Sequence, residues 1–101
     1  MLRILIAEDE EPIANLIRIN LTRAGYQCTW APDGQTAADL MEREKFDLAL
    51  LDIMLPGING YELMDYAKAC ELPVIFLTAL GSTEHKVKGL RMGADDYLPK
   101  P

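Results

Sequence analysis

The sequence predicts an α/β fold in which helices cover a parallel sheet. Three short and nearly continuous apolar runs lie at residues 4–7, 46–51 and 74–77. Apolar runs of this length are typical of strands buried on both faces, as in parallel sheets. Segments with apolar residues at helical spacing separate the runs, so strands and helices alternate along the chain. The length of 101 residues suits one compact domain.

After the first strand, the sequence predicts a helix, a second strand and a second helix. The first turn of the first helix is expected to hold Glu10, Glu11 and Pro12. Its inward face is expected to consist of Ile13, Leu16, Ile17, Leu21 and Ala24. Gly25 suits the C′ position of this helix, and a weaker strand follows at residues 27–31. A turn at residues 32–34 precedes the second helix, whose apolar residues are Ala37, Ala38, Leu40 and Met41.

The second half of the chain repeats the alternation after the third apolar run. Asn59 followed by Glu62 resembles a capping box at the start of a third helix. The apolar residues of that helix are Leu63, Met64 and Ala67. The apolar run at residues 74–77 is the fourth strand, a fourth helix is predicted between residues 82 and 93, and residues 97–98 form a short last strand. The order of elements is therefore βαβαβαβαβ.

Composition excludes several classes of partner and setting. The formal net charge is −6, and an acidic domain is poorly suited to contact nucleic acid directly, because phosphate contacts need Lys and Arg. No apolar run approaches the roughly 20 residues of a membrane helix, and Met1 leads directly into a strand pattern, so no membrane association is expected. Cys28 and Cys70 form no CxxC pair and are interpreted as small apolar fillers in a reduced, cytoplasmic protein.

Polar residues follow the predicted strands at the point where each strand ends. Glu8 and Asp9 follow the first strand, Asp52 the third, Thr78 the fourth and Lys100 the fifth. Each residue alone has an ordinary explanation as a helix cap, a turn residue or a solvated side chain. In an open parallel sheet, however, these strand ends meet at one edge, where ligands bind. The consecutive acids after the first strand repel one another, and a divalent cation would neutralise them.

Four motifs resemble the receiver domain of two-component response regulators. They are AEDE at residues 7–10, LLDIMLPGINGYEL at 50–63, FLTA at 76–79 and GADDYLPKP at 93–101. The last motif is most similar to receivers that are joined to winged-helix transcription regulators. The resemblance covers the whole chain and implies a doubly wound, five-stranded parallel sheet with the flavodoxin-like order 2-1-3-4-5. It also implies that this receiver domain, residues 1–101, stops before the fifth and last helix.

The resemblance implies Mg²⁺-dependent phosphorylation by a sensor histidine kinase. Asp52 would accept the phosphoryl group, since an aspartate oxygen is an established nucleophile in phosphoryl transfer. The ligands of Mg²⁺ would be Asp9, Asp52 and the backbone carbonyl of Met54, with Glu8 acting through a bridging water molecule. The domain is not expected to be an enzyme in its own right, although it would assist its own phosphorylation and dephosphorylation.

The same resemblance assigns a conformational switch. Thr78 and Lys100 would contact the phosphoryl group, and Tyr97 would turn inward as Thr78 moves towards it. The result would be a population shift that controls a DNA-binding output domain outside this chain. The residues of the implied dimer face are Lys86, Lys88, Asp95 and Asp96. Without a fifth helix, one face of the sheet would be bare, and self-association through that face is expected.

Two other enzymes or carriers with a similar sheet fit the residues less well. A metal-dependent aspartyl phosphatase usually carries a second acid two positions after its nucleophile, and Met54 occupies that position here. A flavin-binding electron carrier needs a first loop that cradles phosphate, which AEDEE would repel. The remaining alternative is a receiver-like interaction module that is never phosphorylated. Such modules usually lack one of the acids or the lysine, and this sequence retains them all.

Overall fold

The computed structural model describes residues 1–78 and 96–99, with only the backbone described for residue 78 and for residues 96–99. Within this part of the chain the elements are β1 (Arg3–Ala7), α1 (Glu11–Arg23), β2 (Gln27–Ala31), α2 (Gly34–Arg43), β3 (Leu48–Asp52), α3 (Gly60–Ala69), β4 (Val74–Thr78) and β5 (Asp96–Pro99). None of the helices described here has both the length and the apolarity to cross a membrane. The predicted fourth helix lies outside the described residues.

The strands form one parallel sheet in the order β2-β1-β3-β4-β5. The predicted α/β class and the order 2-1-3-4 of the first four strands are confirmed. β1 is an interior strand, because Ile6 pairs with Trp30 of β2 on one side and with Leu50 of β3 on the other. Since all the strands run in the same direction, their carboxyl ends lie at one edge of the sheet, as the sequence predicted.

Helices pack on both faces of the sheet, and each face has its own hydrophobic cluster. The cluster under α2 and α3 contains Leu5, Ala7, Ala31, Ala37, Ala38, Met41, Ala49, Leu51, Ile53, Leu55, Leu63, Met64, Ala67, Leu72, Val74 and Phe76. The cluster under α1, named here the α1 cluster, contains Ile4, Ile6, Ala14, Leu50 and Leu77. Neighbouring residues along β1 alternate between the two clusters, which explains why the whole strand is apolar.

Local signals mark the helix ends close to the positions that the sequence predicted. Pro12 lies in the first turn of α1, and Gly25 follows that helix with φ = 99°, a conformation that glycine adopts readily. Asp33 caps α2 by accepting a hydrogen bond from the backbone N–H of Thr36 at 2.7 Å. At the start of α3, Asn59 and Glu62 make both hydrogen bonds of a capping box.

Three side-chain placements differ from the sequence-based interpretation. Leu16 and Ala24 were predicted to face inward, but Leu16 is 47% exposed and Ala24 is exposed at the C-cap of α1. The helix buries Ala14 against the sheet, beside the predicted Ile17 and Leu21. Cys70 was interpreted as a buried filler, but it is exposed at the C-cap of α3. A capping position lies at the end of the helix, beyond the face that contacts the sheet. Cys28 does pack against the α1 cluster, as expected.

Candidate functional site

A buried carboxylate follows the end of β1, and a second one ends β3. Ala7, the last residue of β1, pairs with Leu51, so Glu8 and Asp52 follow at equivalent positions on neighbouring strands. Glu8 is 0% exposed and Asp52 is 2% exposed, and they are the buried charged residues among those that the structure describes. Buried carboxylates of this kind are unfavourable unless positive charge compensates them, and strongly buried acids in a cleft are typical of functional sites.

Three carboxylates converge in the loop between β1 and α1. Oxygen atoms of Glu8, Asp9 and Glu10 all lie within 4.8 Å of one another, and these residues are named here the acid cluster. The backbone N–H of Glu10 also donates to Oε1 of Glu8 at 3.3 Å. Asp9 and Glu10 are exposed, so the cluster has a buried side and a solvent side. This donor set fits a hard divalent cation such as Mg²⁺, which prefers carboxylate oxygens and retains water molecules.

Glu10 belongs to this cluster, although the sequence predicted a position for it in the first turn of α1. The helix begins one residue later, at Glu11, and Glu10 is the N-cap residue without a side-chain capping bond. Its backbone is extended, which explains why its carboxylate is near those of Glu8 and Asp9 and not on the helix surface. The consecutive run of acids was the signal for this grouping, but an acid beside a helix start also fits a first-turn role.

The loop after β3 orients Asp52. Oδ1 of Asp52 accepts a hydrogen bond from the backbone N–H of Met54 at 3.0 Å, which turns the carboxylate towards its own loop. Met54 itself is exposed, whereas the neighbouring Ile53 and Leu55 are buried in the cluster under α2 and α3. The alternation anchors the loop in the core and leaves the backbone around Met54 near solvent. Its carbonyl, predicted as a cation ligand, lies in this exposed part of the loop.

Two glycines let both neighbouring helices approach this loop. The N–H of Gly34, the first residue of α2, donates to the carbonyl of Pro56 at 3.2 Å, and a Cβ at Gly34 would lie 1.7 Å from the carbonyl oxygen of Ile58. At the start of α3, a Cβ at Gly60 would lie 2.5 Å from the carbonyl oxygen of Asp52. The loop that carries Asp52 is therefore held between two helix N-termini at distances that exclude any side chain.

β2 holds the backbone of Glu8, the first residue of the acid cluster, through two hydrogen bonds. The backbone N–H of Glu8 donates to the carbonyl of Ala31 at 3.1 Å, and the indole Nε1 of Trp30 donates to the carbonyl of Glu8 at 2.7 Å. Trp30 was not among the residues predicted for the site. A signal was present, because Trp30 lies near the carboxyl end of the strand next to β1, but the direction of its N–H depends on the tertiary structure.

The other predicted site residues are placed only in part. Backbone pairing puts Thr78, at the end of β4, opposite Pro99 of β5, so both strand ends reach the edge that carries Asp52. Tyr97 pairs with Phe76 within the sheet, and Asp96 begins β5. The predicted residues outside the described part of the chain are Lys86, Lys88, Asp95 and Lys100. Their roles stay predictions.

Solved structures that are similar to this chain are receiver domains and response regulator proteins. A receiver domain of the Francisella response regulator 1452 has a TM-score of 0.90 at 37% identity, over 100% of this chain and 85% of that one. The receiver domain of a Pseudomonas aeruginosa sensor histidine kinase, with a magnesium ion in its active site cleft, has a TM-score of 0.88 at 33% identity. The match covers 99% of this chain and 85% of that one. A Burkholderia pseudomallei response regulator with a phosphorylated aspartic acid and a calcium ion has a TM-score of 0.89 at 28% identity. The match covers 100% of this chain and 61% of that one.

A family model matches nearly the whole chain. The model of the response regulator receiver domain family matches residues 4–101. The match includes both buried carboxylates, the acid cluster and the strands of the sheet from Ile4 onward. The chain therefore belongs to the response regulator receiver domains of two-component systems.

Proposed function

We propose that this chain accepts a phosphoryl group on Asp52 from a sensor histidine kinase in a Mg²⁺-dependent reaction. The observation that carries the proposal is the burial of Asp52, 2% exposed, at the end of β3 and beside the buried Glu8. A carboxylate at this position is shielded from water yet lies at the edge of the sheet where ligands bind. The neighbouring structure with a phosphorylated aspartic acid supports the same chemistry.

The chain's own contribution to the reaction is mainly orientation. The N–H of Met54 holds Oδ1 of Asp52, so the carboxylate is directed before the phosphoryl donor arrives. A carboxylate oxygen of Asp52 forms a bond to phosphorus while the P–N bond of the donor phosphohistidine breaks. The electron pair of that bond goes to the imidazole nitrogen of the donor. The product is an acyl phosphate on Asp52.

The proposed cation site combines the acid cluster with the loop after β3. Asp9, Asp52 and the carbonyl of Met54 would hold Mg²⁺, with Glu8 acting through a bridging water molecule. When bound, Mg²⁺ would supply the positive charge that offsets repulsion between these carboxylates and the incoming phosphoryl group. The grouping of Glu8, Asp9 and Glu10 within 4.8 Å supports this assignment, and it adds Glu10 as a further oxygen donor.

The same proposal assigns the switch and the output. The hydroxyl of Thr78 and the ammonium of Lys100 would bind the phosphoryl oxygens, and Tyr97 would follow Thr78. The parallel pairing of β4 and β5 supports their convergence, because it brings Thr78 and Pro99 to the same edge. The phosphorylated form would then favour a surface that controls a DNA-binding output domain of the winged-helix class. That class is supported by the motif at residues 93–101.

Self-association is a separate proposal about the same chain. Leu16 and Ile19 of α1 are each 47% exposed, and exposed apolar side chains on this face would favour pairing with a second copy. Sedimentation velocity over a wide range of concentrations tests this directly. A sedimentation coefficient that rises with concentration is expected, whereas a monodisperse monomer at high concentration would contradict self-association.

The proposed function is tested by intact mass after incubation with acetyl phosphate, with and without Mg²⁺. The wild-type chain is expected to gain the mass of one phosphoryl group only when Mg²⁺ is present. Asp52→Asn is expected to gain none, and Asp65→Asn, which changes an exposed acid on α3, should behave like the wild type. A folded wild-type chain that gains no mass would favour the alternative of a receiver-like interaction module.

A further inference from the structure

We propose that Trp30 is a positioning residue for the cation site: its indole N–H holds the backbone of Glu8 and thereby sets the affinity of the acid cluster for Mg²⁺. The contact that points to this role is the 2.7 Å hydrogen bond from Nε1 of Trp30 to the carbonyl oxygen of Glu8. The inference rests on the proposed Mg²⁺ site and assigns it a residue on a strand that contributes no ligand.

The hydrogen bond replaces backbone pairing where the ladder between β1 and β2 ends. Ala7 and Ala31 are the last paired residues, and the N–H of Glu8 still donates to the carbonyl of Ala31 at 3.1 Å. In this parallel ladder the next donor to the carbonyl of Glu8 would be the N–H of Asp33, which lies beyond the end of β2. The side chain of Trp30 supplies a donor in its place. Both backbone groups of Glu8 are therefore held by β2 and the residues that end it.

This attachment matters because the loop brings like charges together. Oxygen atoms of Glu8, Asp9 and Glu10 lie within 4.8 Å of one another, and in the absence of a cation their repulsion favours a loop that opens. The bond from Trp30 resists that opening at the residue where the loop leaves β1. A loop that is already in the binding geometry loses less conformational freedom when the cation arrives, so its affinity is higher.

The ring of Trp30 is suited to hold its N–H in place. It is half-buried and packs against the α1 cluster beside Ile6, its partner in the sheet register. Packing restricts both side-chain torsions, so the direction of the N–H follows from the position of the ring. Phenylalanine would keep most of this packing and remove the donor. Trp30→Phe is therefore a substitution that isolates the hydrogen bond.

The test compares the Mg²⁺ affinities of the wild type, Trp30→Phe and Ile17→Val by isothermal titration calorimetry. Ile17 packs against the same α1 cluster from the helix, so Ile17→Val lowers stability without touching the acid loop. Trp30→Phe is expected to raise the Kd for Mg²⁺ about 10-fold, as is typical when a partner behind a metal ligand is removed. Ile17→Val should leave the Kd unchanged even where its urea midpoint falls as far as that of Trp30→Phe.

The outcomes separate this role from the proposed function itself. If the wild type binds Mg²⁺ and Trp30→Phe binds it equally well, the positioning role is overturned and the cation site stands. If the wild type does not bind Mg²⁺, the proposed site is wrong and the role of Trp30 is wrong with it. A Kd that rises equally in Ile17→Val would attribute the effect to stability, which also overturns the positioning role.

A second measurement uses the wild-type chain alone and does not depend on the folding of a variant. Trp30 is the single tryptophan, so the chain gives one indole resonance in a ¹H–¹⁵N correlation spectrum. That resonance is expected to move during titration with Mg²⁺, and half of its shift should be complete at the Kd found by calorimetry. An indole resonance that stays fixed while Mg²⁺ binds would mean that the cation site and Trp30 are not coupled.

Discussion

Replacing Gly60 by alanine tests whether the start of α3 determines the position of Asp52. A Cβ at this position would lie 2.5 Å from the carbonyl oxygen of Asp52 and 2.7 Å from the Cα of Ile53. Both contacts are with backbone atoms, so no flexible side chain can move aside. The N–H of Gly60 also donates to the carbonyl of Ile53 at 3.1 Å, which ties the two segments together. In Gly60→Ala, either the helix or the loop that carries Asp52 must shift.

The expected loss of stability follows from two opposing terms. Forcing an extra carbon into a well-packed site costs about 1–3 kcal/mol. The upper part of that range applies to Gly60→Ala because the clashing atoms belong to the backbone of Asp52 and Ile53. Alanine in a helix is more stable than glycine by about 0.5–1 kcal/mol, which offsets part of the cost. We expect a net decrease in the free energy of unfolding of about 2 kcal/mol.

The assay combines urea unfolding with phosphorylation by acetyl phosphate. Gly25→Ala is the matched control, because alanine at φ = 99° is strained although there is open space around it. The free energy of unfolding of Gly25→Ala should fall by about 1–2 kcal/mol, and the strain lies at the edge of the sheet opposite Asp52. Gly60→Ala is expected to slow phosphorylation, and Gly25→Ala is not. The proposed effect on Asp52 would be refuted if Gly60→Ala were as stable as the wild type. It would also be refuted if phosphorylation slowed equally in Gly60→Ala and Gly25→Ala.

Three further predictions concern residues away from this contact. The hydrogen bond from the backbone N–H of Thr36 lowers the pKa of Asp33 below 3.8. The Asp33 cap should therefore stabilise the fold fully above pH 3.8 and lose its effect as the pH falls through the lower pKa of the folded state. The urea midpoints of the wild type and Asp33→Ala should converge in acid. A difference between the midpoints that stays constant with pH would contradict this. Glu71 has φ = 56° after α3, so Glu71→Gly should raise the free energy of unfolding by about 0.5–1 kcal/mol, measured by urea unfolding. Burial raises the pKa of the Cys28 thiol above 9.0, whereas Cys70 is exposed. A disulfide reagent at pH 8 should therefore label one thiol quickly and one slowly, and Cys70→Ser should remove the fast phase.

The order of elements was predictable because its signals are local. Apolar runs, the Asn59–Glu62 capping box, Pro12 and Gly25 each act within a few residues, and each predicted feature is confirmed. The inward face of α1 was less predictable. Leu16 and Ala14 both fit helical spacing, and only the docking of α1 on the sheet selects the smaller residue for burial. A small residue lets the helix approach the strands closely, and the sequence pattern contains no measure of that distance.

The sequence by itself determined the α/β class and the strand ends at which Glu8, Asp9 and Asp52 are found, because both depend on residue type and spacing along the chain. Only the tertiary structure decided how these groups are held. The burial of Glu8 and Asp52, the hydrogen bond from Trp30 and the 2.5 Å approach at Gly60 all join segments that are distant in the sequence. Such contacts depend on strand order and on the direction of individual N–H groups. They exist only once the strands have paired and the helices have packed against them.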